Sequence, residues 1–290
     1  MVTPNKILPL LPPKAPNLPI GPVNYAQDYI NQLLNVLRLY FNQLDNMGSI
    51  LAGQGGAFLS FPYGSFYQNG TTELTANITN VSTTPIQVVS TADFTNIGFI
   101  LIGNEVIQYT GKTNTTFTGI TRGVKGTTNV AHTAGVAVTE AAGVTAGSSA
   151  SMAIDTVVSS AGITCTVPDS KIYLTNPGFY NIQFSTQLLN FTTAEDNITI
   201  WLRKNGLDVP YSAGIQQVNA KHGSTPGSSI IGWNYVEQFA AGDYFEIYWT
   251  SDTGNTVLAT FPAGTSPVHP VSPSLILTVT FVSALPPVIN

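Results

Sequence analysis

Arg122, three histidines, one cysteine and one adjacent pair of acids are the side chains in this 290-residue chain whose types and settings could carry chemistry. Arg122 lies in Gly119-Ile-Thr-Arg-Gly-Val-Lys-Gly-Thr, a glycine-punctuated stretch. It reads as a turn residue whose guanidinium ties a carbonyl or a carboxylate, with a carbohydrate contact as the functional alternative. His132, His222 and His269 are scattered and outside any His-Glu-x-x-His spacing, so they read as loop or surface histidines. Cys165 sits in the alternating run Ile163-Thr-Cys-Thr-Val and reads as a small packed residue. As the single cysteine it excludes an internal disulfide framework. Glu195-Asp196 could be taken for a glycosidase pair, but neighbours on a strand point to opposite faces, which favours a turn before Asn197. Neither a Gly-x-Ser-x-Gly elbow nor a phosphate-cradling loop occurs. The reading assigns no catalytic, cofactor-binding or metal-binding residue.

The elements that would position these side chains are mostly strands. From Gly178 to about Val282, five apolar runs of strand length are separated by Gly, Pro, Asn and Asp clusters, the pattern of an all-β sandwich. Ile198, Ile200 and Leu202 share one face and Thr199, Trp201 and Arg203 the other; Phe245, Ile247 and Trp249 likewise oppose Tyr244, Glu246 and Tyr248. Trp201, Tyr244 and Tyr248 make the second face too aromatic for water, and it is expected to meet another subunit. Charge is scarce: 9% of residues are charged and the formal net charge is -5. That balance argues against nucleic acid, whose binders concentrate Lys and Arg. No run reaches membrane-spanning length, so no membrane insertion is expected.

Residues 1–23 carry seven prolines and form neither helix nor central strand; they read as an extended anchoring arm. A helix is expected from about Tyr25 to Met47, with Asn24 as N-cap and Gly48 as the C′ glycine. Ile30, Leu34, Leu37, Phe41 and Leu44 are spaced 4, 3, 4, 3, and Leu33, Val36 and Tyr40 widen the stripe, which suits a three-helix stalk. Between about Ile78 and Ala142 the pattern changes to short strands, with Gly103-Asn104 as a two-residue hairpin turn. The expectation is a mainly β chain: an arm and stalk (1–56), then an antiparallel jelly-roll knob (57–77 plus 143–284) interrupted by a small β module (78–142).

Several ordered motifs carry a resemblance. They are Pro62-Tyr-Gly-Ser-Phe, Pro177-Gly-Phe-Tyr-Asn-Ile-Gln-Phe-Ser, Ile200-Trp-Leu-Arg-Lys-Asn-Gly, Ala241-Gly-Asp-Tyr-Phe-Glu-Ile-Tyr-Trp and Pro273-Ser-Leu-Ile-Leu-Thr-Val-Thr. This order resembles a virion protein family of tailed phages, especially marine ones. Tyr29-Ile-Asn-Gln-Leu and Tyr40-Phe-Asn-Gln-Leu-Asp-Asn resemble the start of the same family, and the run Gly119–Thr127 resembles a small β module of phage structural proteins. The resemblance implies a trimeric jelly roll similar to the tumour-necrosis-factor and complement globular-head folds. It also implies a non-enzymatic protein of the virion surface, made in the host cytoplasm. The expected partners are two further copies, other virion proteins through residues 1–23, and host surface carbohydrate or protein. A tail or head fibre is the leading expectation and a capsid decoration protein the alternative. A polysaccharide-degrading spike fits less well, because no long fixed-period repeat is visible.

Overall fold

The computed structural model describes residues 16–18, 26–52 and 61–285. The chain is mainly β, 51% strand against 9% helix, with one N-terminal helix followed by antiparallel sheets, as expected. The helix and the β part fall into separate compact units that divide at Phe61/Pro62.

The helix runs from Gln27 to Ala52, about 39 Å at 1.5 Å per residue. Asp28 in its first turn complements the positive end of the helix dipole. The expected N-cap, Asn24, and the arm 1–23 apart from 16–18 lie outside the described residues. Gly48 does not end the helix: the helix continues through it to Ala52. An interior glycine costs only about 1 kcal/mol relative to alanine, and Ile50, Leu51 and Ala52 follow it in helix-compatible order. Along the stripe Ile30, Leu37 and Leu44 are half-buried, while Leu34 and Phe41 are 51% and 57% exposed. No helix residue from 27 to 48 is buried.

The β part begins with β1 (Tyr63–Gln68). The chain then makes an excursion through β2 (Thr71–Glu73), β3 (Gly98–Ile102), β4 (Glu105–Tyr109), β5 (Thr121–Val124) and β6 (Ala137–Gly143). It returns as β7 (Thr156–Ala161), β8 (Ile172–Leu174), β9 (Gly178–Asn190) and β10 (Asp196–Lys204). The last four long strands are β11 (Gly227–Phe239), β12 (Tyr244–Ser251), β13 (Thr256–Ala259) and β14 (Leu275–Ser283). Strand β1 pairs on one side with β7 and on the other with β14, so the segments before and after the excursion rejoin as neighbours.

One large sheet has the order β7–β1–β14–β9–β13–β6–β3–β4–β5, with β11 also paired to β9 and β2 to β6. The second sheet centres on β8–β12–β10, extended by Ser149–Ser151 and Gly214–Val218. The two sheets enclose the main core. Phe66, Tyr180, Ile182 and Leu277 come from the first sheet; Ile198, Ile200, Leu202, Phe245 and Trp249 come from the second. The alternation read from Ile198–Leu202 and Phe245–Trp249 therefore points where it was expected to point.

The excursion has its own core of Leu74, Ile86, Phe94, Ile100, Ile107, Phe117 and Val138. Leu74 and β2 already belong to it, so the change of packing begins near Thr71 and not at Ile78. Between the two lies a third cluster, Leu101, Val106, Ala141, Leu189, Phe191, Val257 and Ala259, under the ladders that join β9, β13 and β6. Both β cores thus hang from one hydrogen-bonded sheet.

Phe117 is fully buried, with its ring 5.0 Å from Phe94 and 4.7 Å from Tyr109. Phe117→Ala should therefore cost about 3–5 kcal/mol, the usual range for a buried phenylalanine, read as a lowered urea midpoint. A loss below about 1 kcal/mol would show that the excursion does not pack as described.

Candidate functional site

Arg122 is buried, and every part of its guanidinium is used. Its Nε and Nη2 donate to the two oxygens of Glu105 at 2.6 and 2.7 Å, a bidentate pair. Its remaining bonds go to the carbonyls of Thr79 at 2.9 Å, Ser82 at 3.4 Å and Val130 at 2.6 Å. Glu105 is placed by the two-residue turn Gly103-Asn104, where Gly103 has φ +59° and Ile102 faces Glu105 across the ladder. The carboxylate also accepts from the N–H of Gly123 and of Val130 and lies 2.8 Å from His132 Nε2. Burial alone would push the Glu105 carboxyl up. The hydrogen bonds from Arg122, His132 and Val130, with the charge of Arg122, outweigh it and hold Glu105 below its ordinary value. Gly123 has φ +62°, and a Cβ there would sit 2.0 Å from Asn129 Oδ1, so the motif needs glycine beside its arginine. The expectation of a tether to a carbonyl or a carboxylate is met on both counts. The guanidinium faces inward, away from any ligand in solvent.

Lys125, three residues on, performs the second task of the same motif. With φ +59° it turns its side chain toward the main core, where Nζ donates to the carbonyls of Val144 and Gly254. The ammonium lies 4.9 Å from the centre of the Phe99 ring. Burial lowers its pKa, partly opposed by the charge of Asp196. Gly126 packs tightly behind it: a Cβ there would come within 2.6 Å of Thr192. The motif clamps the excursion internally through Arg122 and onto the sandwich through Lys125.

The other chemical candidates are dispersed. His222 closes a tight bridge with Thr225, and His269 is exposed, its Nδ1 2.8 Å from the Pro270 carbonyl. Cys165 is half-buried, and burial together with the charge of Asp169 pushes its thiol up to about 12. Glu195 is exposed, whereas Asp196 is buried and accepts from Ser251 Oγ at 2.6 Å and from the N–H of Thr253 and Thr256. Burial would raise the Asp196 pKa; these bonds lower it. The two acids point apart, as their adjacency dictates. A cleft of about 390 Å³ between Leu101, Val136 and Phe261 has no ionisable side chain in its lining. In a second cleft, of about 430 Å³, the one ionisable residue is Lys112, whose Nζ already donates to the carbonyls of Thr91 and Phe94. Among the described residues no helix is long and apolar enough to cross a membrane.

Two broad faces remain. On the second sheet Trp201 and Tyr248 pair across β10 and β12, ring centres 5.8 Å apart, and Tyr244 meets Tyr173 at 5.4 Å. Each is half-buried and already partnered: Trp201 Nε1 donates to Asp208, Arg203 lies 4.4 Å over Tyr248, and Lys171 lies 5.0 Å over Tyr244. The large sheet differs. The outward positions of β11, β9, β14 and β1 carry Ser, Thr, Asn, Gln, Gly and apolar or aromatic side chains, with no Asp, Glu, Lys or Arg. Ile230, Val236 and Val282 on that face are 72%, 59% and 55% exposed.

Compared with protein-family models and with curated proteins, the chain matches none.

Glu105→Gln leaves the Arg122 charge buried without a counter-ion, which should cost about 3–5 kcal/mol in urea unfolding. Because the folded carboxyl is held below its ordinary value, its contribution is present above the unfolded value of 4.5 and lost as pH falls through the folded one. Stability of the wild type should therefore fall more steeply with acid than that of the variant. Equal acid profiles would contradict the role given to Glu105.

Proposed function

We propose that this chain is a non-enzymatic structural protein of a phage particle, a trimeric surface fibre with an N-terminal anchor, a helical stalk and a β knob. The observation that carries the reading is the helix Gln27–Ala52, whose heptad stripe reaches 51% and 57% exposure at Leu34 and Phe41. A single helix of this kind gains most of its stability from packing an apolar face, so a stripe left open calls for copies of itself. The β part supports the reading from its own side: its charged motif residues are spent on internal tethers, and its large sheet offers an uncharged face with exposed apolar side chains. Monomers rarely leave such patches in water.

This moves the proposed contact between knobs. Trp201, Tyr244 and Tyr248 were the expected interface, but each already has an intramolecular partner and is half-buried. The face of β11, β9, β14 and β1 is the better surface for copy-to-copy contact, since no charge on it has to be desolvated. Residues 1–23 are the proposed attachment to other virion proteins, and the outer loops of the knob the proposed contact with host surface carbohydrate or protein.

Sedimentation equilibrium of the full chain at micromolar concentration should give three times the 30.7 kDa chain mass. Leu37→Glu with Phe41→Glu should weaken the association at least tenfold while leaving the β part folded. A folded wild-type monomer at that concentration would overturn the reading.

A further inference from the structure

Two buried acids meet where the chain leaves the sandwich and where it comes back. Glu140 lies in β6 and is 1% exposed; Asp155 immediately precedes β7 and is 8% exposed. Each has one oxygen fully occupied. Asp155 Oδ2 accepts from the N–H groups of Asn69 and Gly70 at 2.8 and 2.7 Å. Glu140 Oε1 accepts from the N–H and the hydroxyl of Thr95 at 3.3 and 3.2 Å. Their other oxygens, Glu140 Oε2 and Asp155 Oδ1, have no donor from any other described residue. The two carboxyl groups converge on Gly70, whose N–H is held by Asp155 Oδ2 at 2.7 Å and whose absent Cβ would come within 2.9 Å of Glu140 Oε2. Two ionised carboxylates could not bond each other there, because both are acceptors; one proton between them supplies the missing donor.

The surroundings supply no positive charge to relieve the pair. From β4, the phenol of Tyr109 donates to the Thr95 carbonyl. From the loop before β3, the Asp93 carbonyl lies beside Gly70, whose absent Cβ would come within 2.9 Å of Glu140 Oε2. From the strand Gly111–Lys112, Lys112 Nζ is taken by the carbonyls of Thr91 and Phe94. Thr156 donates to Asn69 Oδ1. Among the described residues no cation lies within hydrogen-bond reach of either acid.

We propose that Glu140 and Asp155 share a single proton, and that this proton latches the crossing Asn69-Gly70 between the two β cores. Glu140 carries it and donates to Asp155, which holds the crossing backbone through its second oxygen. The Glu140 main chain closes the same joint, its N–H donating to the Gly70 carbonyl and its carbonyl accepting from Thr260 N–H. Burial, and then the neighbouring Asp155 charge, raise Glu140 to about 8 from 4.5. A raised folded value means that the stabilisation is complete below the unfolded value and lost as pH rises through the folded one. Loss of the proton leaves two buried carboxylates facing each other, and the joint loosens.

The test is hydrogen exchange at the Gly70 amide in the full chain across pH, corrected for the intrinsic rate. One linked proton predicts that the opening constant rises about tenfold per pH unit between about pH 5 and pH 8, then levels off. In Glu140→Gln the side-chain amide donates permanently to Asp155, and the slope should vanish. Asp155→Asn supplies a fixed donor in the other direction and should flatten the profile too, which keeps the test available should one variant fold poorly. Equal slopes in the wild type and in the folded variants would overturn the proposal. Millimolar calcium chloride should leave the wild-type opening constant at alkaline pH unchanged; a marked drop would mean that a cation, and not a proton, holds the pair.

Discussion

The structure of the β part depends on two short ladders made by β13. On one edge Thr256–Leu258 pairs with Leu188–Asn190 of β9, and on the other Val257–Ala259 pairs with Ala141–Gly143 of β6. These few backbone hydrogen bonds make one sheet of what would otherwise be two β units. They also fix the small cluster of Leu189, Phe191, Val257 and Ala141 beneath them. A buried backbone donor or acceptor left unpaired costs about 1–3 kcal/mol, so the seam cannot be opened one bond at a time without penalty. The tethers on either side of it act on geometry that the ladder has already set: Lys125 to Val144 and Gly254, and Asp155 to Asn69 and Gly70.

A chain with only 9% charged residues still places six of them inside. Glu105, Arg122, Glu140, Asp155, Asp196 and Glu246 are all buried, each bonded to backbone or to another polar side chain. Such groups contribute little net stability, because desolvation offsets their attraction. They penalise alternative arrangements instead, since any displacement strands a charge. Much of the outer surface is left to Ser, Thr, Asn and Gln, which solvate the strands without adding charge.

Strands that bury one face were legible because the side-chain period is two and the buried set is apolar: Ile198, Ile200 and Leu202, or Phe245, Ile247 and Trp249. The turn Gly103-Asn104 and the tether at Arg122 were legible from turn chemistry and from the lack of any other use for a lone guanidinium. Gly48 signals a helix end that the backbone does not take, because an interior glycine costs only about 1 kcal/mol and the helix runs on to Ala52. The excursion begins before its hydrophobic pattern does, because Thr71–Glu73 is a short polar strand with no hydrophobic alternation to reveal it. The partners of Trp201, Tyr244 and Tyr248 were hidden because a cation over a ring is set by tertiary position; only Arg203 beside Trp201 hinted at it. The Glu140–Asp155 pair is invisible in sequence for the same reason: fourteen residues, with the strand Ser149–Ser151 among them, separate two acids that topology brings together.

Two β cores hung from one continuous sheet must behave as one cooperative body. Denaturant-dependent hydrogen exchange in the full chain measures this directly, by comparing peptides that cover residues 98–109 of the excursion with peptides that cover residues 178–190 of the sandwich. A continuous sheet predicts one common opening free energy and one common dependence on urea for both sets. If residues 98–109 open at markedly lower urea while residues 178–190 stay protected, the seam at β13 does not join the cores and the account is contradicted.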